Sequence, residues 1–230
     1  MPTKYYLGFA SSSALEQSTI VLLEKSASGT KESLVPHMEK SMDLFVPELM
    51  QAFLVGTVDA IGLSPMATKI VHSTADIIDK TAKMLVGQLL KKRSNEELKP
   101  LIGFVDDIYL RPQTTSTGKP STGCEIDKAQ YDRIQYVIAE VRAGNGQKVL
   151  GDLHDLMTFV VDVMLEKLMK RPIDLLPLNF IVRKVADGAI ATCKAAGHGV
   201  TNKVFKKLED DQLIHLANYF DTLVLSAERA

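Results

Sequence analysis

With 230 residues, 46% of them apolar and 24% charged, the chain can bury a substantial core and is too apolar to be disordered over most of its length. A formal net charge of −1 gives no long-range attraction to nucleic acid. Two cysteines, Cys124 and Cys193, are too few for a disulfide framework or a zinc site, which points to a reducing cytoplasm.

Residues 1–10 hold one lysine and a short apolar run, too short for a signal peptide, and Lys4–Phe9 is the only strand candidate. A first helix is predicted over Ser12–Ala27, ending at Gly29 as a left-handed cap. A long second helix follows over Lys31–Ile61, with a kink expected at Pro47. Its apolar window, Leu44–Leu63, contains Glu48 and Asp59. Two carboxylates in mid-span would cost roughly 2.5–3.5 kcal/mol each in lipid, so the window reads as a buried helix and no transmembrane segment is expected. The third helix opens at Ser64-Pro65 and closes at Lys91-Lys92-Arg93. The fourth opens on Ser94-Asn95-Glu96-Glu97, a capping box. Residues 111–126 begin RPQTTSTGKPSTGCE, a Thr, Ser, Gly and Pro-rich composition that predicts a polar linker.

The second half echoes the first at an offset of 115 residues. Pairing 14–110 with 129–225 without a gap gives 13 identities in 97 positions, where ordinary composition gives about six by chance. Lys91/Lys206, Lys92/Lys207, Leu98/Leu213, Leu101/Leu216, Asp106/Asp221 and Leu110/Leu225 coincide, as do Met42/Met157, Val46/Val161, Asp59/Asp174, Leu63/Leu178 and Lys69/Lys184. The punctuation repeats too: Gly144 stands for Gly29, Asn179 for Ser64, and Glu209–Gln212 for the capping box. The fold expected is therefore all-α, a tandem duplication of a four-helix unit with about eight helices packed about a pseudo-two-fold axis. Helical repeats over 1–110 and 127–230 would pack as one body.

Catalytic and cofactor signals are absent from this reading. The five histidines lack metal-ligand spacing, Gly197-His198-Gly199 has no strand before it, and Asp106-Asp107 is followed at the third position by Leu110. No catalytic residue, metal or cofactor is assigned. Three sets of candidates remain. Met42, Met50, Phe53, Met157, Met164 and Met169 lie on or near the two apolar helices and suit an adaptable apolar ligand or partner surface. Asp59 with Lys69, and Asp174 with Lys184, are expected as structural acid–lysine pairs at the corner between the second and third helices. Lys91, Lys92, Lys206 and Lys207 form a candidate anion patch, although cations at a helix C-terminus already complement its dipole.

His198-Gly199-Val200-Thr201-Asn202-Lys203-Val204-Phe205, with Leu208 and Asp210 after it, resembles the C-terminal His-Gly-x-x-Asn-x-Val-Phe stretch of the TIPE lipid-binding family. The resemblance is confined to residues 198–210 and implies a helical body around a lipid-holding cavity. The functional expectation is a non-enzymatic helical binding or scaffold protein with its interaction surface near the repeat interface. The second reading is a carrier or sensor of a small apolar or lipid-like molecule, and an enzyme is the third. The partner would be a protein or a small apolar ligand, not nucleic acid, and a homodimer is one assembly this allows.

Overall fold

The computed structural model describes residues 3–205 and 208–228. Among the described residues the fold is mostly helical, 73% with eight helices, as an all-α composition implies; four strands add a sheet that corrects the purely helical expectation. The first strand, β1 (Thr3–Ala10), leads through the N-cap Ser12 into α1 (Ser13–Ala27), which ends before Gly29 at φ +66°. Helix α2 runs over Val35–Ile61. Pro47 lies inside its α-helical part, and the irregularity falls after it, in a π-helical turn at Gln51–Val55. The helix starts at Val35 rather than near Lys31 because Asn95 holds the preceding loop: its side chain accepts from the Leu34 N–H and donates to the carbonyls of Thr30 and Glu32. Gly62, at φ +60°, ends α2.

Ser64 caps α3 (Pro65–Leu90), and the Ser94–Glu97 capping box opens α4 (Asn95–Ile108), which leads straight into β2 (Tyr109–Leu110). The expected linker contains β3 (Ser121–Ile126). Upstream of that strand, Thr115 bridges to Ala227, so even the Thr- and Gly-rich part is tied to the sheet. Composition missed this because small polar residues are compatible with a strand whose backbone, not its side chains, does the bonding. Asp127, reciprocated by Gln130, caps α5 (Lys128–Glu140), and a π turn at Val141–Asn145 closes it, with Gly144 at φ +81°. Helix α6, residues 150–174, combines Leu150–Met164, a π turn at Leu165–Lys170 and a last turn at Arg171–Asp174. Asn179 caps α7 (Phe180–Val204), and Glu209 with Gln212 caps α8 (Asp210–Asp221), after which β4 (Val224–Glu228) completes the sheet.

The sheet order is β2-β3-β1-β4, antiparallel throughout. Consecutive residues Tyr6–Phe9 are buried, so both faces of β1 are covered and no alternation of apolar and polar residues marks it in the sequence. Gly8 and Gly123 face each other at its centre. A Cβ on Gly8 would lie 2.5 Å from the Thr122 carbonyl oxygen, so these glycines permit the close approach of the two strands. Phe9 carries the sheet into the helical core, its ring 6.3 Å from Phe45 and 6.5 Å from Phe53. Helices α3 and α7 pack on one another and on α2 and α6 respectively. By length and composition α2 could cross a membrane; 44% of its most apolar window is buried inside this fold.

Candidate functional site: an apolar cavity among the long helices

All six residues singled out for an apolar surface come together. Met50, Phe53, Met157, Met164 and Met169 line a partly open cavity of about 130 Å³ among α2, α3, α6 and α7. Met42 and Met169 line a second void of about 90 Å³, and the two voids share Phe45, Val46, Ala82, Leu168 and Met169 as walls. The methionines arrive there because α2 and α6 each turn an apolar face inward, and the π turns within these two helices sit at the cavity, contributing Phe53 and Leu54 from α2 and Leu165, Leu168 and Met169 from α6. A π turn widens the helix by one residue and breaks the regular ladder, which spreads its side chains and leaves a backbone carbonyl in need of a partner.

In the first π turn that partner is Tyr219 of α8, whose hydroxyl donates to the Ala52 carbonyl at 2.8 Å. Gly56 makes the room: any Cβ there would lie 2.1 Å from the Tyr219 Oη. Burial, reinforced by the charge of Asp59, holds the Tyr219 phenol above its usual pKa and so keeps it a donor.

The remaining walls come from α3 and α7. Ile78 and Ala82 line the cavity from α3, and Cys193, Gly197, Val200 and Thr201 from α7. Gly197 lets α7 approach α6, since a Cβ would lie 2.8 Å from Val161 Cγ1. Gly197 is thus a packing glycine, while a Cβ on Gly199 would meet open space. The Thr201 hydroxyl donates back to the Gly197 carbonyl, so it adds no unsatisfied polar group to the wall. Cys193 is 1% exposed, and burial pushes its thiol up to about 11. At the rim, Asp162 of α6 takes the Lys194 ammonium at 2.9 Å and the His198 ring at 3.0 Å. Burial acts against the Asp162 carboxylate, but these two partners outweigh it and hold its pKa below the ordinary value.

The sequence reading missed the α3 and α7 walls because Ala82, Cys193 and Gly197 are too small to stand out as an apolar stripe. The one signal near them was the His198–Phe205 resemblance; Val200, Thr201 and Phe205 of that stretch line the cavity.

The other candidates fare differently. Asp174 pairs with Arg183 and lies 3.8 Å from Lys170, not with Lys184, whose ammonium sits 4.5 Å from the Phe180 ring centroid. Position 183 projects from the first turn of α7 toward the end of α6, and position 184 is rotated away by 100° of helix. Asp59 and Lys69 are both exposed and form no ion pair with each other among the described residues. Lys91 and Lys92 are exposed in the turn after α3, Lys92 at φ +60°, whereas Lys206 and Lys207 lie outside the described residues. Among the described residues no three His, Cys, Asp or Glu side chains converge on a point that could hold a metal ion.

Comparison with protein-family models, with curated proteins and with solved structures finds no match to this chain.

Proposed function

We propose that this protein is a carrier or sensor of a small apolar or lipid-like molecule held in the cavity among α2, α3, α6 and α7. The observation that carries the reading is the cavity itself, with apolar walls supplied from four helices. A core whose only task is stability gains by closing such space, because each wall atom facing a void forfeits dispersion contacts. An apolar cavity of about 150 Å³ stays dry and accepts a molecule the size of benzene. Here an adjoining void of about 90 Å³ shares the side chains of Ala82, Leu168 and Met169 as walls, so the two make a divided space. That shape suits a flexible chain better than a compact ring, and Met169 is the kind of side chain that moves aside at low cost.

The reading includes an origin in two diverged copies related by a pseudo-two-fold axis. Three observations support it. Leu7 lies opposite Val224 between β1 and β4, and adding 115 to one number while subtracting it from the other gives Thr122 opposite Tyr109, the pairing of β2 with β3. Gly8 opposite Gly123 is the pair that such an exchange maps onto itself. Val46 and Val161, Ile78 and Cys193, and Ala82 and Gly197 each stand 115 residues apart and line one void. On this reading the cavity lies on the seam between the copies.

Mass spectrometry under native and then denaturing conditions tests the proposal. A small apolar molecule released only on denaturation is the expected result, and Ala82→Phe, which fills the wall shared by both voids, should abolish it. A clean mass from freshly purified protein, together with no binding of added fatty acids of graded length, would overturn it. The scaffold reading would then lead, on the strength of Met66, Phe180 and Ile181, which are 78%, 71% and 74% exposed.

A further inference from the structure

From the distribution of charge and exposed apolar side chains we infer that the outer faces of α3 and α7 dock the protein on an anionic lipid bilayer. The chain as a whole is nearly neutral at −1, but its charge is unevenly distributed. Residues 65–93 and 180–204 together hold ten Lys and Arg against three Asp, a net of +7, so the rest of the chain carries a net of −8. Eight of the ten are exposed lysines: Lys69, Lys80, Lys83, Lys91 and Lys92 on α3 and its end, and Lys184, Lys194 and Lys203 on α7. Helix-dipole complementarity accounts for lysines in a last turn only. It leaves Lys69 and Lys80 unexplained, whereas Lys83 and Lys194 meet Asp79 and Asp162 and Lys184 lies over the Phe180 ring.

Large apolar side chains stand on the same faces. Met66, Ile77 and Met84 are 78%, 47% and 49% exposed, and their spacings of eleven and seven residues keep them on one stripe of α3. Phe180 and Ile181 are exposed at the start of α7, with the Lys184 ammonium over the Phe180 ring. Exposed aromatic and aliphatic residues interleaved with lysines are the composition of a surface that lies at the headgroup level of a membrane, where chains of the lysine bury and the ammonium meets phosphate.

The placement fits a carrier. The inner faces of these same two helices line the cavity through Ile78, Ala82, Cys193 and Gly197, so a bilayer on the outer face would lie one helix layer from the ligand. The inference extends the carrier reading, but its test needs no cavity ligand. The full chain is floated with phosphatidylcholine vesicles, with and without phosphatidylserine. It should partition onto the anionic vesicles only. Each exposed lysine contributes roughly fivefold to such partitioning, so Lys69→Glu/Lys80→Glu/Lys184→Glu should lower it by at least a factor of about 100. Phe180→Ser/Ile181→Ser should lower it roughly tenfold without changing the unfolding midpoint. Ala82→Phe, which blocks the cavity, should float like the unaltered protein, so failure of the carrier reading and failure of docking are read separately. Equal partitioning onto neutral vesicles, absence from anionic ones, or unchanged partitioning of both surface variants would overturn the inference. Displacement from vesicles by duplex DNA at matched phosphate would also overturn it, as the mark of a general polyanion surface.

Discussion

The two π turns that flank the cavity, Gln51–Val55 in α2 and Leu165–Lys170 in α6, are the same helical irregularity supported in opposite ways. At the first, Gly56 opens a gap that Tyr219 fills, and the phenol hydrogen-bonds the Ala52 carbonyl. At the second, Arg171 stands 115 residues after Gly56 and Phe104 stands 115 before Tyr219. There the guanidinium lies 5.8 Å from the Phe104 ring centroid, and Arg171 reaches Asp107 at 3.4 Å. One turn is pinned by a half-buried hydrogen bond, the other by an exposed cation over a ring. A half-buried hydrogen bond to backbone holds more firmly than a solvated cation contact, so the turn in α6 is the less firmly held of the two.

The largest effect should come from closing the gap at the first turn. Gly56→Ala forces a Cβ into Tyr219 and against the Gln51 carbonyl, 2.9 Å away, and should cost about 2–4 kcal/mol by denaturant unfolding. Arg171→Ala should cost under about 1 kcal/mol. Equal costs would erase the contrast. Removing only the phenol oxygen is a finer cut: Tyr219→Phe should cost about 1–2 kcal/mol, because it strands the Ala52 carbonyl.

The two cysteines report on the same two regions, Cys193 at the cavity wall and Cys124 beside Lys167 and Arg171. Burial pushes their thiols up to about 11 and about 12. In the unfolded chain they ionise near pH 9, so between that pH and about 11 the unfolded state binds fewer protons and stability falls as pH rises. The slope should approach roughly 1.4 kcal/mol per pH unit for Cys124, with less for Cys193, and Cys124→Ala should flatten the pH dependence of the unfolding midpoint.

Smaller effects lie at the rim and the corners. Asp162 is stabilised as a carboxylate by Lys194 and His198, so its contribution is present above the ordinary aspartate value and lost as pH falls through its lowered one. Asp162→Asn should lower the neutral plateau by under about 1 kcal/mol and flatten the acid limb, the two chains converging below the lowered pKa. Asp174→Ala, which frees Arg183, should cost under about 1 kcal/mol, and Asp59→Ala should cost nothing measurable by thermal unfolding. Equal losses at both would restore the matched acid–lysine pairs that the offset of 115 suggests.

Sequence and structure agree most closely at helix starts. Ser64, Ser94, Asn179 and Glu209 were legible as N-caps because capping is a local transaction among four consecutive residues, and each caps a helix. The methionines of α2 and α6 were legible as a set because an adaptable apolar surface has a composition. The expected kink at Pro47 gave way to a π turn four residues later, and the second π turn, in α6, has no proline before it, so proline alone does not locate the irregularity.

What the sequence determined by itself is therefore what neighbouring residues decide: the helices, their caps, their apolar faces, and the glycine stops at Gly29 and Gly144. What only the tertiary structure decided is what depends on residues far apart in the chain. It paired Gly8 with Gly123 and so turned an apolar run and a polar linker into the two central strands. It gave Asp174 to Arg183 rather than Lys184, and it left a cavity where four helices meet. Backbone bonding between strands and the fit of small side chains between helices carry almost no signature in local composition, because both depend on which distant segment arrives opposite.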